Sequence, residues 1–389
     1  MDDKLSSIIK EFPEYLFDSI NSAKLEARKS GKDVVDLGYG NPDIPSHPLV
    51  VEKLIESARL TKNHKYSVSR GIQGLRNAIT EKYSRSYDVS LDPEKNIVNT
   101  IGSKEGLTHL MFSIINPGDK VIIPDPSYPI HQYAPLISRA KVKKVQLKDT
   151  NEFLESIEKI TSSEDIKLVL ISFPHNPTTL TVDLDFYNKL VHLGQKRGFW
   201  IVNDFAYSDV YFDDKAPPSL LQAEGAIDNC IELYSLTKGY SMAGWRVGFA
   251  IGNEKAIGAL TKIKSYIDYG TFQPIQIAAA NALNRLDEYP KEVSSIYLER
   301  REIVKSVLQE LRFNVQDSNA TMFVWAKIPE NINLGSIDFS IKLLKNADVA
   351  VAPGLGFGDY GEGYVRIALV ENKNRIRQAM KNMKRMMDD

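Results

Sequence analysis

Between residues 96 and 251, short runs rich in valine and isoleucine alternate with longer amphipathic stretches. The runs fall at 96–100, 120–124, 141–145, 167–171, 200–203, 231–235 and 247–251. Several show no clean polar–apolar alternation, which is the pattern of strands buried on both faces of a mainly parallel sheet. After Gly102 and Ser103, the residues Leu107, Leu110, Met111, Ile114 and Ile115 recur at helical spacing until Asn116-Pro117-Gly118 stops them. The stretch 184–197 places Phe186, Leu190 and Leu193 in phase and closes on Lys196, Arg197 and Gly198. Strand and helix repeated in this way describe an α/β domain. Past residue 285 the character changes. A charged helical stretch from Tyr289 to Leu311 leads into strand-like 322–326 and 349–352. The expected division is a large domain at 46–285 and a smaller α+β domain built from 1–45 and 286–389. A chain of 389 residues is long enough for both.

Charge and cysteine content narrow the classes of function. The 49 Lys and Arg against 50 Asp and Glu leave a net charge of −1. That balance lacks the cationic excess of a nucleic-acid or membrane-surface binder. The single cysteine, Cys230, leaves no internal disulfide framework and no cysteine-built metal cluster, in keeping with a reducing compartment. The opening MDDKLSSIIKEF is acidic and carries no signal-peptide core. No segment reaches the roughly 18 uninterrupted apolar residues of a membrane span. The expectation is a cytoplasmic protein.

Several local patterns invite chemistry that their context does not support. Gly356, Gly358 and Gly361 spell the dinucleotide fingerprint, yet Pro353-Gly354 precedes them and the β-like 364–370 follows. A nicotinamide site needs a strand before and a helix after, so this reads as a flexible glycine loop. Ser235-Leu236-Thr237-Lys238 matches S-x-x-K of serine acylases, but their companion motifs are missing, and chance explains the match. The histidines His47, His64, His109, His131, His175 and His192 are scattered without metal-ligand spacing, so no metal is expected.

Three other features hold together. Lys238 follows an apolar strand and stands among serines, glycines, Trp245 and Arg246. Most lysines are solvated surface groups. One at a strand end beside an arginine has the surroundings that lower an amine pKa and make a Schiff-base nucleophile. Asp204 ends the strand at 200–203, on the edge where open α/β sheets bind ligands, although an aspartate there also serves as a helix cap. Gly102-Ser103-Lys104 lies between strand and helix, where free backbone N–H groups can hold a phosphate, or where Ser103 simply caps the helix.

In order along the chain come Gly40-Asn41-Pro42-Asp43, Tyr66, Gly102-Ser103-Lys104, Pro126-Ser127-Tyr128, Asn176-Pro177-Thr178, Asp204-Phe205-Ala206-Tyr207, the Lys238 block and Arg366. Together they resemble the fold-type I pyridoxal 5′-phosphate aminotransferases over essentially the whole chain. The resemblance implies a mainly parallel seven-stranded sheet sandwiched by helices, a smaller α+β domain and a homodimer. It implies that Lys238 holds the cofactor aldehyde as an aldimine and then moves a proton at the substrate α-carbon. Asp204 would pair with the pyridine nitrogen, Tyr207 and Asn176 with the ring's 3′ oxygen, and Tyr128 would stack on the ring. Arg246, Ser235 and the backbone at Gly102, Ser103 and Lys104 would take the phosphate. Tyr66 would reach it from the neighbouring subunit. Arg366, with Gly40 and Asn176 near it, would clamp the substrate carboxylate.

The runs HKYSVSRGIQGLR, IGSKEGLTHLM, MAGWRVGF and KIKSYIDYGTFQPIQ resemble the bacterial alanine (glutamate–pyruvate) aminotransferases first and the LL-diaminopimelate aminotransferases second. Gly239 and Ser241 depart from the serine and asparagine frequent in the alanine group, and Asn203 stands before the aspartate. The expected reaction is L-alanine with 2-oxoglutarate giving pyruvate and L-glutamate. Tyr15, Tyr39 and Tyr128 are expected to crowd the pocket toward small substrates. The alternatives are LL-diaminopimelate or aspartate transamination and a C–S β-lyase. A DNA-binding regulator on the same fold would need an added N-terminal domain, for which 45 residues leave no room.

Overall fold

In this computed structural model residues 4, 6–12 and 17–388 are described, those at 17–19 by their backbone alone. All seven apolar runs are strands of one sheet. Across it the order is Ile97–Thr100, Gly248–Gly252, Cys230–Ser235, Trp200–Asp204, Leu168–Ile171, Lys120–Asp125 and Lys141–Gln146. Gly248–Gly252 runs antiparallel to both neighbours, and the other pairings are parallel. The missing alternation has a direct cause. Val169, Ile171 and Ile201 face one apolar core while Leu168, Leu170 and Val202 face another, so helices cover both sides of the sheet.

Local chemistry sets the helix limits. Asp183 accepts the Phe186 N–H at 2.9 Å to start Leu184–Arg197, and Gly198 ends it in the left-handed region at φ 78°. The helix Ser103–Ile114 begins differently. Its N-cap, Gly102, has no side chain to close the first turn.

A third core belongs to the smaller α+β part. A four-stranded antiparallel sheet, in the order Ala352–Pro353, Tyr364–Ala368, Phe323–Lys327 and Asn314–Val315, packs with the helices Tyr289–Glu310 and Lys373–Asp388. Val35 and Leu37 enter this core, and the helix Phe17–Lys29 packs on Ser336–Ala347. The single strand expected at 349–352 is two. Val349–Ala350 pairs with Val35–Asp36, and Ala352–Pro353 crosses to pair with Tyr364–Ala368. The glycine loop also differs from expectation. Rather than free, it forms two short 3-10 turns at Gly354–Phe357 and Asp359–Gly361 that rest on the carboxyl end of Lys120–Asp125. Among the described residues no helix is long and apolar enough to cross a membrane.

Candidate active site

The carboxyl ends of the parallel strands open into a cavity of about 460 Å³ whose far wall comes from the smaller sheet. At its floor lies Lys238, half-buried, with Nζ donating to the Gly40 carbonyl at 3.0 Å and standing 5.8 Å from the Tyr207 ring centre. Desolvation, then the nearby Arg366 and Arg246 guanidinium groups, bring this amine down to about 7 from an ordinary 10.5, with Asp204 opposing. Near neutral pH a large fraction of it is therefore unprotonated and nucleophilic.

Asp204 is the last residue of Trp200–Asp204 rather than a cap beyond it. One carboxylate oxygen, Oδ2, lies 3.0 Å from His131 Nε2, and the other, Oδ1, is buried at the cavity with no hydrogen-bond partner among the described residues. A buried carboxylate oxygen without a donor is costly unless a ligand supplies one. A protonated ring nitrogen is such a donor. Tyr207 and Asn176 stand together, the amide donating to the phenol oxygen at 3.5 Å. Burial pushes the Tyr207 phenol well up, so it remains a proton donor at any ordinary pH.

The phosphate end is a cradle without a cap. Gly102 sits at φ 76°, and a Cβ there would lie 2.2 Å from Arg246 Nη2, so the guanidinium needs glycine beneath it. Arg246 Nη1 is held by the Ala243 carbonyl at 3.1 Å, and the Ser235 hydroxyl donates to Thr237 Oγ1 at 2.7 Å. Ser103 and Lys104, at the amino end of Ser103–Ile114, line the same side. These residues fit a phosphorylated pyridine aldehyde: a positive cradle, an orphaned carboxylate oxygen and a low-pKa amine converge on one cavity.

Across the cavity, Arg366 projects from Tyr364–Ala368 and is buried. Its Nη1 donates to Asn176 Oδ1 at 2.8 Å and its Nη2 to the Gly38 carbonyl at 2.9 Å. Phe323 and Phe357 flank the guanidinium at 4.2 and 4.6 Å. Tyr39 and Tyr128 line the cavity, Tyr39 being 68% exposed at its mouth. Tyr15 lies outside the described residues. Tyr66 does not enter the cavity of its own chain. It is 86% exposed on the outer surface, 4.8 Å from the Tyr269 ring.

The sequence reading did not single out His131, Gly38, Thr237, Phe323 or Phe357. His131 had one signal, its position three residues beyond Tyr128 and so on the same side of the helix Pro129–Ile137. Elsewhere, Glu105, His109 and Asp268 cluster within 4.8 Å, but the Lys264 ammonium stands among them, 2.8 Å from Glu105 and 3.0 Å from Asp268.

A sheet of this order carrying this cavity at its carboxyl edge places the site where an open α/β sheet binds its ligand. The chain belongs to the aminotransferase class I and II family, whose pattern matches residues 32–382, and whose members use pyridoxal 5′-phosphate. It is 44% identical to the glutamate–pyruvate aminotransferase AlaC of Escherichia coli, over 97% of this chain and 92% of that protein. It is 39% identical to the LL-diaminopimelate aminotransferase of Natranaerobius thermophilus, over 96% and 97% of the two chains. The substrate-bound BacF structure from Bacillus subtilis superposes with a TM-score of 0.92 at 32% identity, covering 98% of this chain and 97% of that one.

Proposed function

We propose that this aminotransferase exchanges the amino group of a small amino acid, converting L-alanine and 2-oxoglutarate to pyruvate and L-glutamate in two half-reactions. The observation that carries the chemistry is the Lys238 amine, brought to about 7 and sharing one cavity with the orphaned Asp204 carboxylate and the Arg366 guanidinium. When bound, pyridoxal phosphate supplies an aldehyde carbon and a ring that accepts electrons.

Each surrounding group has a matching task. Arg366 takes the α-carboxylate as a bidentate guanidinium partner, and Asn176 and Gly38 hold its fork in one orientation. That grip orients the α-hydrogen toward Lys238, which as an amine would take the proton from the α-carbon and as an ammonium would deliver it to the carbon that was the cofactor's aldehyde. Asp204 would keep a proton on the ring nitrogen, and His131, holding Oδ2 at 3.0 Å, leaves Oδ1 to accept it. The Tyr207 hydroxyl and Asn176 would hold the 3′ oxygen, and Tyr128 would stack on the ring. Arg246, Ser235 and the amides at Ser103 and Lys104 hold the phosphate, with Gly102 leaving room for the guanidinium. Tyr66, exposed in a single chain, reaches that phosphate from a second copy, so the active unit is a homodimer with shared sites. The large domain is 46–285 and the small one 1–45 with 286–389, and the enzyme works in the cytoplasm.

Alanine specificity is supported by the likeness to AlaC and by the tyrosines about the pocket. The likeness to LL-diaminopimelate aminotransferases supports a second reading with that longer donor. A panel of amino donors against pyruvate and 2-oxoglutarate decides among them. Turnover of alanine with 2-oxoglutarate is expected. Turnover of LL-diaminopimelate without alanine would overturn the specificity, and pyruvate release from cystathionine without any oxo-acid acceptor would point to C–S cleavage.

A further inference from the structure

The glycine loop that resembles a dinucleotide motif has a different task, and its partner is an aspartate of the large sheet. Asp125, 2% exposed, ends the strand Lys120–Asp125. Its Oδ2 accepts the Asp359 N–H and its Oδ1 the Tyr360 N–H, both at 3.3 Å. Two residues on, the Ser127 N–H donates to the Phe357 carbonyl at 2.7 Å. Gly358 lies at φ 135°, and a Cβ there would stand 2.0 Å from Asp125 Oδ1. The carboxylate occupies the space that any side chain would need. Lys144 completes the junction, 3.7 Å from Asp125 and 3.8 Å from Asp359.

This junction is where the large sheet grips the smaller part, and the gripped loop carries Phe357. The Phe357 ring stands 4.6 Å from the Arg366 guanidinium and edge-on to Trp325 at 6.1 Å. On the other side of the guanidinium, Phe323 sits within its own strand and needs no such support. Only one of the two aromatic walls thus depends on a loop, and that loop is tied by a carboxylate from across the cavity.

We propose that Asp125 is a positioning residue for the substrate-carboxylate site. It holds the loop 354–361 against the large sheet so that Phe357 closes one face of Arg366, and Gly358 is the residue that lets it do so. The inference rests on Arg366 being the carboxylate clamp. A charged acceptor on two backbone N–H groups preorganises the loop before substrate arrives, so its loss weakens binding without altering the proton transfer at Lys238.

The test uses the cofactor-loaded enzyme and its Asp125→Asn and Gly358→Ala variants, with Arg366→Leu as a control. In both loop variants the KM for the amino donor should rise about tenfold, with kcat held within about twofold. Amide hydrogen exchange at Asp359 and Tyr360 should quicken, and the absorbance of the bound cofactor should not change. An unchanged KM in both variants overturns the proposal, as does a loss of cofactor affinity in parallel with KM, which would mark general loosening. If Arg366→Leu leaves KM unchanged, the clamp assignment itself falls. If that variant raises KM and the loop variants do not, only the role of Asp125 falls.

Discussion

His131 Nε2 lies 3.0 Å from Asp204 Oδ2, with both side chains buried. The contact uses one carboxylate oxygen and leaves the other, Oδ1, buried and without a hydrogen-bond partner among the described residues, on a side chain that lines the cavity. Replacing the imidazole by the similar-sized ring of His131→Phe leaves Asp204 without its side-chain partner and free to turn. The expected result is about a tenfold weaker hold on pyridoxal phosphate, since a hydrogen bond to a charged group contributes about 1.5–3 kcal/mol. Equilibrium dialysis of the cofactor measures this, and an unchanged affinity would remove His131 from the site.

Lys238 should make the cofactor-free protein depend on pH in a definite direction. Its folded value, about 7, lies below its ordinary 10.5. Between those values the unfolded chain carries the proton and the folded amine does not, so stability rises with pH through that window. Below it the full cost of a desolvated ammonium is felt. Lys238→Met removes the cost, so the variant should melt higher than the cofactor-free parent near pH 7, and the gain should vanish as pH approaches 10.5. Parallel melting curves at all pH values would contradict the depressed amine. The same variant should lose turnover entirely.

Much of this architecture could be read from residue order alone, for a physical reason. Strands buried on both faces must be continuously apolar, so the runs at 120–124 and 231–235 announced themselves without any knowledge of their neighbours. Lys238, Asp204 and Gly102 were legible because each sits where a strand gives way to a turn. The splitting of 349–352 was not, because its apolar residues serve two sheets and carry no mark of the crossing. Nor was the His131 contact, since 73 residues separate it from Asp204 and only the parallel sheet brings them together. Phe357 was hidden for the same reason, inside a loop whose partner, Asp125, lies 234 residues away from Asp359.

The outer surface predicts assembly. Tyr66 and Tyr266 are 86% and 85% exposed, the exposed Tyr269 ring stands 4.8 Å from that of Tyr66, and the exposed Phe272 ring stands 6.3 Å from that of His64. Exposed aromatic residues gathered in this way mark a contact surface. Tyr266→Glu combined with Tyr269→Glu should give monomers by sedimentation, and those monomers should not transaminate. Tyr66→Phe should leave the proposed dimer intact and weaken the hold on the cofactor phosphate. A fully active monomer would sink the shared site.

Tyr39, at the mouth of the cavity, is the side chain best placed to exclude bulk without touching the reacting groups. Tyr39→Ala should raise kcat/KM for larger amino donors relative to alanine while the cofactor spectrum stays the same. A relative profile that does not move would show that size selection lies elsewhere.

Glu232 tests how the sheet holds Asn203, the residue before Asp204. Its side chain is wholly buried, yet Tyr83 and Ser219 hydroxyls donate to Oε1, each at 2.7 Å, and the Leu220 N–H at 2.9 Å and Asn203 Nδ2 at 3.1 Å to Oε2. Burial pushes this carboxyl up, with the four donors opposing. Glu232→Leu would strand all four and should cost about 3 kcal/mol or more, since a buried donor left unsatisfied costs about 1–3 kcal/mol. Glu232→Gln should cost far less, because the two hydroxyls can rotate to accept from its amide while the carbonyl oxygen keeps the remaining donors. The sign of the pH effect separates these cases further. A carboxyl raised in the folded state loses stability as pH climbs above its ordinary value, so the Gln variant should gain on the parent as pH rises from 4.5. Denaturant melts of the parent and both variants measure each difference, and equal losses in the two variants would show that packing, not hydrogen bonding, holds this side chain in place.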